Sequence, residues 1–262
     1  MQVLIHACPK RMWYVEGFLV PVLRAQGAEN IEIWNDVEGR GNLLSCMDSF
    51  RSRKGDGGTW HIQDDVLPCR DFVARCEKND EGVVSGFCCE AFGDDLLSWG
   101  RVDASDLWHS FQCVRIPDAY ARECAEWFFS GAWRELGSAE LFRCAARGEG
   151  DDAFFYEFIN CRHGGEPVNN IAPNLVEHVD WIVGGSVLHS WRGYLARAAY
   201  WDDDKLIAEL KEQVRGRVPY EGTRNIGNNR LRAFVYFGAG PSIRQTAGDA
   251  TSYKSVADRR PT

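Results

Sequence analysis

Apolar and polar positions in the first third of the chain switch repeatedly between a short-run pattern and a helical one. Val3-Leu4-Ile5-His6-Ala7 is an apolar run of strand length, and Val15, Phe18, Leu19, Val22 and Leu23 follow at i, i+3, i+4, i+7 and i+8, one face of a helix. Ile31-Glu32-Ile33-Trp34 predicts a second strand, ending in Asn35-Asp36. A helix is expected to begin near Asn42 as its cap and to turn Leu43, Met47 and Phe50 inward. Beyond a polar loop at residues 53–58, Thr59-Trp60-His61-Ile62 predicts a buried third strand. It delivers Gln63-Asp64-Asp65 at its end, and Pro68 limits how far it can run. Residues 69–78 predict a short helix and residues 82–89 a fourth strand. Strands and helices in this order predict an α/β fold with a mostly parallel central sheet covered by helices on both faces.

The second half is less regular. A strand is expected at residues 108–116, then a helix started by Pro117-Asp118 with Tyr120, Cys124, Trp127 and Phe128 on one face. Asp151-Asp152 precede Phe154, Phe155, Phe158 and Ile159, the pattern of a helix start followed by a core stripe. A last helix is expected at residues 202–214, and little regular structure beyond Gly238. The expected organisation is one domain over residues 1–200, with halves at 1–92 and 93–200, and an extension at 201–262.

With 262 residues, 45% of them hydrophobic, the chain can bury a substantial core. Its ten cysteines all precede Arg162 without the paired Cys-x-x-Cys spacing of zinc sites. Scattered cysteines of this kind read as small buried hydrophobes kept reduced, so a cytoplasmic protein is expected. No apolar segment approaches the ~18 residues of a membrane span, and the N-terminal residues do not form a secretory leader, so neither is expected. The net charge of −8 is uneven: residues 205–262 carry eleven Lys or Arg against five Asp or Glu. Such a segment, with Tyr220, Phe234, Tyr236 and Phe237 interleaved, permits contact with a nucleic acid or other polyanion, or is simply a solvated tail.

Chemistry enters with the acidic pair after the third strand. Asp-Asp pairs also occur at Asp94-Asp95, Asp151-Asp152 and Asp202-Asp203, where turns and helix caps explain them. The first strand leads into His6-Ala7-Cys8-Pro9-Lys10-Arg11, which is neither a Gly-rich dinucleotide fingerprint nor a Walker-type phosphate loop. A nucleotide-binding α/β protein without those cradles needs another source of positive charge. A divalent cation held by carboxylates, assisted by Arg or Lys, meets that need.

Taken in order, His6 to Arg11, Trp34-Asn35-Asp36, Gly39-Arg40-Gly41-Asn42 and Ile62-Gln63-Asp64-Asp65-Val66 resemble the nucleotide-binding half of glycosyltransferases with the A-type (GT-A) fold. Gln63-Asp64-Asp65 is similar to their Asp-x-Asp signature in the form that ends in two aspartates. Phe111-Gln112-Cys113-Val114-Arg115-Ile116-Pro117 resembles the acceptor-side strand of that family, and Pro173-Asn174-Leu175-Val176-Glu177-His178 the stretch that returns a histidine to the metal. The resemblance spans residues 1–192, and Gln63 departs from it by standing where an acidic residue is usual.

The resemblance implies a metal-dependent glycosyltransferase that moves a sugar from a nucleoside-diphosphate sugar to a hydroxyl acceptor, a saccharide or a modified base in DNA. It implies a single GT-A-like, Rossmann-type domain. Arg11, Asp36, Arg40, Asn42, Gln63 and Asp64 would contact the donor, and Asp65 and His178 would hold Mn²⁺ or Mg²⁺. Asp152, or its neighbour Asp151, would be the base that takes the acceptor's proton if the reaction inverts configuration. Two other classes remain open at this level: a metal-dependent nucleotidyl or phosphoryl transferase, and a non-catalytic nucleic-acid-binding protein. The donor sugar, the acceptor and the oligomeric state are not readable from the residues.

Overall fold

A computed structural model describes residues 1–87, 100–103, 111–164, 166, 168–172, 175–179 and 183. Strand β1 (Gln2–Ala7) lies between β2 (Asn30–Asn35) and β3 (Gly58–Gln63) and is parallel to both. The register pairs Val3 with Trp60 and Ile5 with Ile62, so these side chains share a face. β3 continues to β7 (Cys113–Pro117), β5 (Val84–Ser85), β8 (Asn169–Ala172) and β6 (Gly100–Asp103), completing a seven-stranded sheet of order β2-β1-β3-β7-β5-β8-β6. A separate two-stranded ribbon joins β4 (Val66–Pro68) to β9 (Val176–His178).

The fold is therefore α/β, but its sheet is mixed rather than mostly parallel. β7 runs antiparallel to both β3 and β5, and β6 antiparallel to β8. A buried apolar run looks the same in either direction, so the periodicity that locates β7 does not orient it.

Two apolar clusters flank the sheet, one on each face. The first gathers Val3, Ile5, Trp60 and Ile62 under the segment that follows β1 and under α4 (Phe72–Glu77). That segment is composite: a 3-10 turn (Pro9–Arg11), a short α1 (Met12–Tyr14), a π turn (Val15–Leu19) and α2 (Val20–Ala25). Pro21 has no N–H to give the preceding turn, and the widened π turn lies just before it. The second cluster packs Val114 and Ile116 against α3 (Asn42–Arg51), α5 (Asp118–Ser130), α6 (Ala139–Arg147) and α7 (Asp151–Arg162). Leu43, Met47, Phe50, Phe154, Phe155, Phe158 and Ile159 are buried there as their spacing implies. On α5 the buried face is Ala121, Cys124, Ala125 and Trp127, and Tyr120 and Phe128 sit half-buried at its margin.

Asn42 is not the cap of α3. It is the first helical residue, the cap position is Gly41, and the carbonyl of Gly148 accepts the Leu43 N–H at 3.0 Å. Gly41 has φ +93° and leaves no room for a side chain, since a Cβ there would come within 2.5 Å of the Gly148 oxygen. Gly41→Ala is expected to lower stability by about 2 kcal/mol or more. A fall in the urea midpoint at unchanged slope would register it.

Six of the eight cysteines among the described residues are buried, and all eight are free. Among those residues no helix is long and apolar enough to cross a membrane. The helix expected at residues 202–214, the basic segment 205–262, the adjacent Cys88 and Cys89, Pro173-Asn174 and the first residues of the 108–116 strand lie outside the described residues.

Candidate functional site

The sheet changes direction at β1: the chain passes from β1 to β2 on one side and later returns to β3 on the other. In open α/β sheets the crevice beyond the carboxyl ends of strands at such a switch point is where ligands bind. Here β1 and β3 end side by side, with His6 in register with Gln63, and their continuations supply Arg11, Asp64 and Asp65.

Local sequence explains how Arg11 arrives. Cys8 precedes a proline and is extended, at φ −116° and ψ 154°; the turn Pro9–Arg11 then bends the chain back, closed by the Arg11 N–H on the Cys8 carbonyl at 3.0 Å. The extended Cys8 leaves its own N–H to donate to Asp64 Oδ2 at 2.7 Å. Arg11 Nη1 donates to Asp64 Oδ1 and to Asp65 Oδ2, each at 2.5 Å, and none of the three side chains exceeds 8% exposure. His178 completes the cluster, its Nε2 lying 3.4 Å from Asp65 Oδ2. The ribbon brings it there: β9 pairs antiparallel with β4, His178 opposite Val66, while the Val179 N–H donates to the Asp65 carbonyl at 2.7 Å. Buried Tyr14 fixes the same turn from below by donating to the Val66 carbonyl at 2.7 Å.

Two carboxylates face one guanidinium, so they do not titrate alike. Burial, opposed by Arg11 and reinforced by the Asp65 charge, pushes Asp64 up to about 6. Burial acts on Asp65 in the same sense, yet Arg11 and His178 outweigh it and hold that carboxyl below the usual range. Asp65 is the persistent anion of the pair.

Acceptors without partners occur in this cluster and at the ends of the neighbouring strands. Among the described residues Asp65 Oδ1, Asn35 Oδ1 and Gln112 Oε1 are buried and receive no hydrogen bond. Asn35 ends β2; Gln112 lies beside the end of β3, its carbonyl accepting the Gln63 N–H and its amide donating to Gln63 Oε1 at 3.2 Å. Buried acceptors left open are costly, and three at one sheet edge mark a place where donors belong.

The remaining candidates divide. Asp36 accepts from the backbone N–H groups of Arg40 and Gly41, both at 3.1 Å, and so shapes the loop into α3. Arg40 is turned along α3, paired with Asp48 at 2.6 Å and Glu38 at 3.2 Å. It lines a shallow groove of about 240 Å³ with Leu43, Leu44, Phe128 and Gly148. Asn42 Nδ2 donates to Asp151 Oδ1 at 2.7 Å, tying the start of α7 to the start of α3. Asp36 N also donates to the Ala7 carbonyl, so contacts run from the ends of β1 and β2 through Asp36 and Asn42 to Asp151. The Asp151-Asp152 pair thus lies toward the same carboxyl edge as the acidic cluster. Asp151 is buried and Asp152 half-buried.

Sequence reasoning missed Cys8, Tyr14, Asn35 and Gln112 as contributors, and an imidazole pair of half-buried His6 and buried His61. His6 Nε2 and His61 Nδ1 are 2.9 Å apart on adjacent strands, and burial drives His6 down to about 3 and His61 well down, so the pair stays neutral. The register, with His6 opposite Gln63, puts His6 and His61 on one face, and nothing in the sequence pattern gives that register.

Among the described residues no group of three or more His, Cys, Asp and Glu side chains is arranged to hold a metal ion. Asp65 and His178 are two donors, which suits an ion that takes its other ligands from phosphates and water, provided Arg11 withdraws. In comparison with known proteins, the chain matches no family model and shows no significant similarity to any curated protein.

Proposed function

We propose that this crevice binds a nucleoside-diphosphate sugar and that the protein is a glycosyltransferase of the A-type fold acting on a hydroxyl acceptor. The observation that carries the reading is the set of buried, open acceptors on Asn35, Asp65 and Gln112 around a carboxylate pair at the switch point. Ribose, sugar and base edges are dense in O–H and N–H donors and suit such a set. Arg11 supplies the planar guanidinium that pairs phosphate oxygens.

In this reading Asn35, Gln112 and Asp65 orient the nucleoside and sugar, and Arg11 meets the diphosphate. The half-buried Asp152 takes the proton of the attacking hydroxyl in an inverting reaction. Asp65 and His178 would hold Mn²⁺ or Mg²⁺, which supplies charge stabilisation for the departing diphosphate. Asp36, Arg40 and Asn42 act one step back, shaping the loop and helix start on which the donor rests. The free cysteines support a reducing, cytoplasmic setting.

A thermal-shift panel of nucleoside-diphosphate sugars with and without Mn²⁺ tests the reading. At least one should raise the melting temperature by several degrees, because a ligand that binds only the folded state stabilises it. Asp65→Asn should abolish that shift; it should also lower the basal melting temperature, since Arg11 keeps only Asp64, so the shift is read against the variant's own ligand-free value. Products then separate sugar transfer from phosphoryl transfer. No shift from any nucleotide sugar, under either metal condition, would remove the basis for the assignment.

A further inference from the structure

We propose that Arg11 is a built-in counter-cation that excludes divalent ions from the acidic crevice until an anionic diphosphate draws it away, so that metal binding is conditional on nucleotide binding. This rests on the crevice being the donor site.

The geometry is that of one cation standing where another would. A single nitrogen, Arg11 Nη1, is 2.5 Å from an oxygen of each aspartate, and the Asp65 oxygen that it takes is the one 3.4 Å from His178 Nε2. An Mg²⁺ or Mn²⁺ ion bound by Asp65 and His178 needs oxygen or nitrogen donors at about 2.0–2.2 Å. Bound through Asp65 Oδ2, the oxygen nearer His178, it would compete with Arg11 Nη1; bound through the open Oδ1 it would still sit beside the same buried positive charge. The side chains of Arg11, Asp64 and Asp65 are all at least nine-tenths buried, so water does little to screen that repulsion. Guanidinium and metal are alternatives in this space.

A diphosphate changes the balance. It offers Arg11 two or more charged oxygens in the planar, forked arrangement a guanidinium prefers, and it brings the metal the additional ligands that Asp65 and His178 lack. Arg11 ends a 3-10 turn that runs into a three-residue α segment and a π turn, the kind of irregular helical stretch that often marks a functional site. Gly17, inside the π turn, has no atom within 4 Å of where a side chain would begin. Linkage requires reciprocity: the factor by which diphosphate improves metal affinity is the factor by which metal improves diphosphate affinity.

The test is Mn²⁺ binding by calorimetry and melting temperature on the full chain, with Mn²⁺ alone and with a nucleoside diphosphate. Mn²⁺ alone, at about 1 mM, should leave the wild type unshifted and raise Arg11→Met by several degrees. The double variant Arg11→Met/Asp64→Asn, which keeps Asp65 and His178 without the repulsion between two bare carboxylates, repeats the measurement if the single variant does not fold. With nucleoside diphosphate present the wild type should take up Mn²⁺, and affinity for each ligand should rise at least 10-fold in the presence of the other. Asp65-dependent Mn²⁺ binding by the wild type alone would overturn exclusion, as would failure of every folded Arg11 variant to gain Mn²⁺. Nucleotide binding indifferent to Mn²⁺ would overturn the coupling while leaving the donor site in place. Absence of any nucleotide binding would sink the coupling and the transferase reading together, with the Mn²⁺-only arms still deciding exclusion.

Discussion

Replacing Arg11 by methionine is expected to cost about 3–5 kcal/mol of folding stability, the range seen when one partner of a buried ion pair is removed. The methionine fills much of the arginine's volume, so packing loss is small and the effect is electrostatic. Asp64 and Asp65 would be left buried, adjacent and without the cation that contacts both. The Cys8 N–H and His178 remain, one on each carboxylate, and neither spans the pair. Adding Asp64→Asn should recover most of the loss, because a single carboxylate beside His178 is no longer repelled by a neighbour. A double-mutant cycle followed by urea unfolding reads the coupling directly. The deficit should shrink as pH falls from neutral toward about 4, because without Arg11 burial and mutual repulsion make the folded variant's carboxylates take up protons before those of the unfolded chain do. A loss under 1 kcal/mol at neutral pH would show that water reaches the cluster and that Arg11 is not the charge that balances it.

Legibility in the sequence followed the physics of each element. β1 and β3 were readable as short runs buried on both faces, β2 as a short run rich in Ile and Trp, and α3 and α7 because their buried residues recur at helical spacing. β4 and β8 are three and four residues long, too short for a period, and β9 exists only through its pairing with β4. α6 does carry local signals in its sequence: Ser138 caps it, accepting the Leu141 N–H at 3.4 Å, and Gly148 ends it in the left-handed region. Asp64 and Asp65 were readable as the end of a buried strand. Their tie to Arg11 was not, since it depends on how sharply Pro9 bends the chain, and charge has no periodicity to report it. His178 lies more than a hundred residues from Asp65, and only the resemblance to a known motif suggested the contact. Asp36 shows the opposite case. A carboxylate after a strand suits both a ligand and a turn, and in the structure it accepts from the N–H groups of Arg40 and Gly41.

Asp151→Asn should stabilise the protein, and do so increasingly as pH rises. Burial first, and then the charge of Asp152, push the Asp151 carboxyl up to about 7, against the opposing effect of backbone N–H groups at the helix start. An unfolded aspartate titrates near 3.9, so between about pH 4 and 7 the unfolded chain releases this proton while the folded one keeps it. The protonated carboxyl's contribution is complete below about pH 4 and is lost as pH rises through 7. Asparagine does not titrate and retains an oxygen to accept from Asn42. The gain of Asp151→Asn over wild type should therefore grow by about 2 to 3 kcal/mol between pH 5 and pH 8, two units of titration at about 1.4 kcal/mol each. Urea midpoints at the two pH values measure it, and an equal difference at both would mean that Asp151 is ionised throughout. The comparison also separates the two candidate bases. If the charge next door holds Asp151 up, Asp152→Asn should shift this pH dependence toward acid without removing it. That result would tie the raised titration of buried Asp151 to its neighbour and leave the half-buried Asp152 as the more accessible candidate base.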